Sequence, residues 1–247
     1  KFLLSARKNL DWKNSNVDAT LMSIILVYLH AKIGEGLSNQ MRMTKSMGMN
    51  YSIVWWKENG LVNPPELNPV EVILNKIEWR YKKGMPKVTE SAVVFGDSTI
   101  ELEKIVERSI HNDIKFSLLF TSPPYYSITD YHADQWLRLW MLGGSETPKT
   151  ITKKHKGRFI DKERYYNLLD NVFGLSSKMM EERSTIYVRT DRRKFTFDTT
   201  IKILKKHYPK HKMRIVNKPL KEDTKTQTKL YGDKTMKPGE VDIIMRS

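Results

Sequence analysis

Apolar residues recur at helical spacing through the first 90 positions. Val17, Leu21, Ile24, Ile25, Tyr28 and Leu29 share one face, with Asn16 or Asp18 placed to cap that helix and Gly34 and Gly36 placed to stop it. Tyr51, Val54 and Trp55 repeat the spacing after a polar, Met-rich stretch over 40–49. Asn63-Pro64-Pro65 and Asn68-Pro69 are turn signals. Pro69 suits the first turn of a further helix, with Val70, Ile73, Leu74, Ile77 and Tyr81 on one side and Gly84 at its end. After Pro86 the pattern changes. The apolar run 92–95 predicts a short buried strand ended by Gly96-Asp97-Ser98, and Ser98 can cap a helix through Leu102, Ile105, Val106 and Ile110. The run 116–120 predicts a second buried strand. Strand, helix, strand implies a parallel crossover and an α/β sheet. A polar loop spans about 143–162, and a helix carrying Tyr165, Leu168, Leu169, Val172 and Phe173 follows. Residues 185–188 predict a third strand, 197–207 a helix, and 213–216 and 241–245 two final strands. The pattern therefore divides the chain into a helical region, 1–90, and an α/β region, 91–247.

Composition narrows the chemistry. The 247 residues contain no cysteine, which excludes disulfides, Cys-ligated zinc, iron–sulfur clusters and a thiolate nucleophile. The six histidines show no metal-ligand spacing, so no metal is assigned. Lys and Arg outnumber Asp and Glu by 43 to 28, and a net charge of +15 favours a polyanionic partner such as nucleic acid. The best apolar run, 21–29, is far short of the roughly 20 residues a membrane span needs, so no membrane association is expected. No signal peptide opens the chain. It begins at Lys1 rather than Met, which raises the expectation of a longer or processed protein.

Ser122-Pro123-Pro124-Tyr125, at the end of the predicted strand 116–120, is the most informative part of the chain. Two consecutive prolines fix two φ angles and remove two N–H donors. A hydroxyl and a carbonyl oxygen side by side can hold the two hydrogens of an amino group, and an adjacent aromatic ring can stack on the base that carries it. A stiffened loop closing a strand is the alternative reading of the same residues. Both this segment and Gly96-Asp97-Ser98 lie beyond carboxyl ends of predicted strands, where α/β sheets bind ligands.

Thr121-Ser122-Pro123-Pro124-Tyr125-Tyr126, preceded one strand earlier by Gly96-Asp97-Ser98 and followed by Asp130-Tyr131, resembles motif IV of the amino-methylating DNA methyltransferases over about 91–247. The Ser form of the motif is commonest among N4-cytosine enzymes and the Asp form among N6-adenine enzymes. The resemblance implies a class I methyltransferase-like, Rossmann-like sheet and transfer of methyl from S-adenosylmethionine to the exocyclic amine of a base flipped out of double-stranded DNA. Cytosine N4 comes first and adenine N6 second. Ser122, Pro123, Pro124 and Tyr125 then form the catalytic segment, with Tyr125 stacking on the base and Ser122 and the Pro123 carbonyl holding the amine. Asp97 and Ser122 contact the cofactor, although Asp97 also reads as a turn-capping residue. Methylation at cytosine carbon 5 uses a Cys nucleophile and is excluded. A cytoplasmic protein acting on prokaryotic DNA, in the setting of DNA methylation and restriction-modification, follows from the same resemblance.

The chain departs from that family at the cofactor. No Asp-x-Phe-x-Gly-x-Gly loop occurs, and Gly34-Glu35-Gly36 reads as a helix stop. The sheet is thus expected to lack its first two strands, with the glycine-rich motif supplied by an upstream segment or a second polypeptide. A noncatalytic DNA-recognition or partner subunit of a split methyltransferase is the reading from another class. For DNA contact the candidates are Lys149, Lys153, Lys154, Lys156 and Arg158 in the acid-free stretch 149–158, and Arg189 and Arg192 after the third strand, where together with Asp191 and Arg193 they could line the pocket or bind phosphate, or form surface ion pairs. Residues 202–237 hold twelve Lys or Arg and three acids, a further basic stretch. Trp136 and Trp140, four apart, read as helix core.

Overall fold

The computed structural model describes residues 1–30, 36–37, 49–63, 66–85, 87, 91–127, 131–147, 158–218 and 239–247. The chain forms two compact units. One comprises Lys1–Glu90 with Asp130–Ile151, the other Ser91–Thr129 with Thr152–Ser247. Residues 130–151 thus belong to the helical unit although they follow the first segment of the sheet unit in the chain.

The helical unit contains α1 (Phe2–Asn9), α2 (Asn16–Tyr28), α3 (Met49–Glu58), α4 (Pro69–Tyr81) and α6 (Tyr131–Met141). Ser15, rather than Asn16 or Asp18, caps α2. Its hydroxyl accepts from the Asp18 N–H at 3.2 Å, and Asp18 instead accepts from the Asp11 N–H. Asn68 caps α4 by accepting from Val70 and Glu71, with Pro69 in the first turn, where its missing N–H costs nothing. Gly84, at φ +89°, takes the left-handed conformation that a residue with a Cβ rarely adopts. Met22, Ile25 and Leu29 of the α2 stripe are buried together with Ile73 and Met141. Burying each such side chain contributes about 1.5–3 kcal/mol. This packing is why α6 joins the unit, and Leu137 and Trp140 add to it. Arg138 donates to the Leu26 carbonyl at 3.0 Å, and Arg7 lies over the Trp140 ring and donates to the Gly144 carbonyl. Trp140 is therefore core, as its spacing predicts.

The sheet unit contains α5 (Ser98–His111), β1 (Phe116–Thr121), α7 (Lys162–Ser177), β2 (Met180–Asp191), α8 (Lys194–His207), β3 (Lys212–Lys218) and β4 (Glu240–Arg246). Strand order is β1-β2-β4-β3, with β1 parallel to β2 and the other two pairings antiparallel. The α/β class is thus as expected. The core joins Tyr165, Leu169 and Phe173 of α7, Ile203 and Leu204 of α8, and Ile186, Val188, Ile243 and Met245 of the sheet. Among the described residues the parallel crossover lies between β1 and β2, not between 92–95 and β1.

Two strand expectations are corrected. Residues 92–95 form no strand, and Val93 and Phe95 are 97% and 101% exposed. A strand needs a partner for its backbone groups, and none among the described residues lies beside this run. The segment 116–120 is a strand but not a buried one. β1 is a sheet edge, and Phe116, Leu118 and Phe120 are 43%, 55% and 71% exposed. Leu119, on its other face, packs into the core.

Candidate active site

β1 delivers the chain directly into Ser122-Pro123-Pro124-Tyr125, which has no regular secondary structure and leads into a turn at Tyr126-Ser127. The two prolines remove the donors that would extend the ladder. Other elements fasten this segment on both sides of its center. Tyr165, fully buried on α7, donates its phenol proton to the Pro124 carbonyl at 2.9 Å. Arg193, at the start of α8, donates to the Tyr126 carbonyl at 2.6 Å. Its guanidinium is itself held by the buried Asp191 carboxylate, which also accepts from the Arg193 N–H at 2.7 Å. The Ser127 N–H donates to the Phe159 carbonyl at 2.8 Å.

The two tyrosines are used differently. Tyr126 packs edge-on against Tyr165 and Phe195, at centroid distances of 5.6 and 4.7 Å. No ring among the described residues stacks on Tyr125. Its phenol donates to Glu240 Oε1 at 2.8 Å. Burial pushes that phenol well above the ordinary tyrosine range, and the Glu240 carboxylate adds to the rise, while the neighbouring Ser122 hydroxyl acts the other way. The loop is therefore held on both sides, with Ser122 exposed, Tyr125 half-buried and Pro123 buried, its carbonyl meeting no donor among the described residues. Asp191 and Arg193 were legible as charged groups after the third strand, but Tyr165 and Glu240 were not legible as site residues. Only their positions at element ends or in a buried helix stripe hinted at them.

Asp97, rather than Ser98, caps α5. Its Oδ1 accepts from the Thr99 N–H at 3.0 Å and the Thr99 hydroxyl at 2.7 Å, and its Oδ2 pairs with Arg158. Burial disfavours the charged carboxylate, but these hydrogen bonds outweigh it and pull the group down to about 2. Three of about four acceptor positions are occupied, so one remains.

Of the basic candidates, Lys149, Lys153, Lys154 and Lys156 lie outside the described residues, as do Gly34, Glu35 and Asp130. Arg158 is paired with Asp97. Arg189 donates to both oxygens of Asp242, at 2.7 and 3.1 Å. Arg192 is exposed. Residues 219–237 of the basic stretch 202–237 are likewise outside the described residues. Among the described residues no His, Asp and Glu cluster could hold a metal, and no helix is long and apolar enough to cross a membrane.

No known protein family matches the chain. No curated protein matches it either. Among solved structures it is similar to SMU.776, a candidate methyltransferase complexed with SAH, at 12% identity and a TM-score of 0.30. The similarity covers 58% of this chain and 29% of that one.

Proposed function

We propose that this chain carries the base-binding, amine-orienting part of an S-adenosylmethionine-dependent DNA amino-methyltransferase, acting on cytosine N4 in preference to adenine N6. The observation that carries the reading is the Ser122–Tyr125 loop. The Pro124 and Tyr126 carbonyls are tied down by Tyr165 and Arg193, while Ser122 is exposed and the carbonyl of the buried Pro123 meets no donor among the described residues. Two acceptors at that place suit an –NH₂ group, and the unstacked Tyr125 ring suits the face of a base. Holding both hydrogens of the amine orients its nitrogen lone pair away from the loop. Such positioning, with fixed dipoles, supplies much of the rate in transfers of this kind. The cofactor supplies the methyl group. The remaining acceptor position of Asp97 fits an adenine amino group. Arg192, Arg158, Arg189 and the lysines of 149–156 are proposed to meet phosphates. For Arg158 and Arg189 that contact competes with Asp97 and Asp242.

The unpaired edge of β1 and the exposed run 92–95 favour a second element of this proposal. The sheet is completed by a further segment or polypeptide carrying the glycine-rich cofactor loop, so this chain by itself forms an incomplete methyltransferase. The same observation supports a noncatalytic partner role as the second reading.

The test is methyl transfer from labelled S-adenosylmethionine to duplex DNA, with and without that complementary polypeptide, followed by digestion to nucleosides. N4-methylcytosine is expected. N6-methyladenine would select the second base, and label found only in 5-methylcytosine would overturn the reading. A complex that binds DNA and cofactor without any transfer would leave the partner role.

A further inference from the structure

α7 and α8 pack on one face of the four-stranded sheet, where Leu119, Ile186, Met245 and Met213 turn into the core. Their neighbours along each strand alternate to the opposite face. The pairing register aligns those neighbours in rows across all four strands. Leu118, Thr185, Arg246 and Lys212 form one row. Phe120, Tyr187, Ile244 and Arg214 form the next. Both rows meet solvent. Leu118, Phe120 and all three cations are exposed, and Thr185, Tyr187 and Ile244 are half-buried.

The chemistry of this face changes from one edge to the other. On β1 and β2 the Phe120 ring stacks on Tyr187, with centroids 4.9 Å apart and planes 16° from parallel. No other ring among the described residues meets Phe120, so its second face is free to stack. On β4 and β3, three of the four positions in these rows are Arg246, Lys212 and Arg214, and none is ion-paired among the described residues. Neither row contains an acid. Strand spacing puts the cations about 5–10 Å from the β2 column. A surface built to receive another protein is depleted of charge through its middle, and this one is not. Exposed aromatic rings beside unpaired cations suit a polyanion that also carries flat apolar groups. A duplex keeps the faces of its bases stacked on one another, so only an unpaired strand can use such rings.

We propose that this open sheet face is a platform for single-stranded nucleic acid, with a base stacked on Phe120 and phosphates on Lys212, Arg214 and Arg246. Stacking and phosphate contacts carry little sequence information, so the platform takes strands of any sequence. It adjoins Ser122, because β1 runs from Phe120 through Thr121 into that loop, but it does not depend on what the loop binds. A further strand at the β1 edge would pair through backbone groups in the plane of the sheet and leave the face itself uncovered.

The experiment is fluorescence anisotropy of the full chain with a labelled oligodeoxythymidylate and with a labelled duplex of equal length. Phe120→Ala is expected to weaken single-strand binding about tenfold while duplex binding changes by less than about twofold, and Phe120→Tyr, which keeps a ring, to restore it. Replacing Lys212, Arg214 and Arg246 together by Gln is expected to lower the slope of log affinity against log salt by about 0.7 for each lost phosphate contact, about 2 in all. Circular dichroism checks that each variant keeps its fold. Undiminished single-strand affinity in folded Phe120→Ala overturns the proposal, and so does an unchanged salt slope in the triple variant. A wild-type chain that ignores the single strand, but takes up a complementing polypeptide that Phe120→Ala no longer holds, puts a protein on this face and overturns it as well.

Discussion

Replacing Asp97 by Asn isolates the charge at the start of α5. Asn is as good a helix cap as Asp, so the Thr99 contacts are retained while the ion pair with Arg158 is lost. The carboxyl is drawn from an ordinary 3.8 to about 2 in the folded protein. At about 1.4 kcal/mol per unit, that shift corresponds to at most about 2.5 kcal/mol of stability. The side chain is 25% exposed, and solvent screening reduces the expected value to about 1–2 kcal/mol. The sign follows from the depressed value. The contribution is present in full above the unfolded carboxyl's range and is lost as pH falls from about 4 through about 2. Urea unfolding followed by circular dichroism should therefore separate wild type from Asp97→Asn at neutral pH and bring them together in strong acid. All six tryptophans lie in the helical unit, so their fluorescence in the same titrations reports that unit and serves as the control. Equal stability at neutral pH, or a difference that persists undiminished in strong acid, would refute the assignment of the stabilisation to this carboxylate.

Tyr125→Ala should remove base stacking worth about 1–3 kcal/mol, so methylation by the complete enzyme falls steeply while phosphate-mediated DNA binding survives; full activity in a methylation assay would contradict the pocket. Tyr165→Phe leaves the Pro124 carbonyl without its buried donor, and a loss of about 1–3 kcal/mol in thermal unfolding, with slower methyl transfer, is expected. Neutralising Lys153, Lys154 and Lys156 together should flatten the salt dependence of DNA affinity by about 0.9 per lost phosphate contact, and an unchanged slope would place those residues away from DNA. Calorimetry should find S-adenosylmethionine binding weakly or not at all to these 247 residues alone, and micromolar affinity would show that the cofactor site is already complete.

Local signals were the most legible. The stripes of α2 and α7 were readable because helical burial repeats every three or four residues within one segment, whereas in α4 Ile73 is buried but Val70, Leu74 and Tyr81 of the expected stripe are exposed. Cap identity was less so, since Ser15 and Asp97 each sit one residue before the position that composition suggested, and a single φ decides between them. The strand at 116–120 was legible but its burial was not. A continuous apolar run looks the same whether both neighbours are present or only one. The run 92–95 illustrates the stronger form of that limit, because apolar content alone cannot make a strand where no partner lies beside it. At the site, the Ser-Pro-Pro-Tyr segment announced itself through backbone chemistry. Its supports, Tyr165, Arg193 and Glu240, reach it across 41, 67 and 115 residues, and no local pattern encodes a contact at such separation.

The interleaving of the two units fixes an order of events during synthesis. The helical unit cannot close its core until α6 has been made, because Met141 is one of its buried residues. By then β1 has already left the ribosome, while β2, its parallel partner, still lies beyond α7. Through that interval a strand with alternate apolar side chains has both edges open, at the stage when unpaired strands are most prone to aggregate. A chain cut short just after residue 151 would contain every segment of the helical unit and, within it, an orphaned strand. Such truncations should be less soluble than their helical content suggests, and expression of the sheet unit should depend on residues well downstream of the motif it displays.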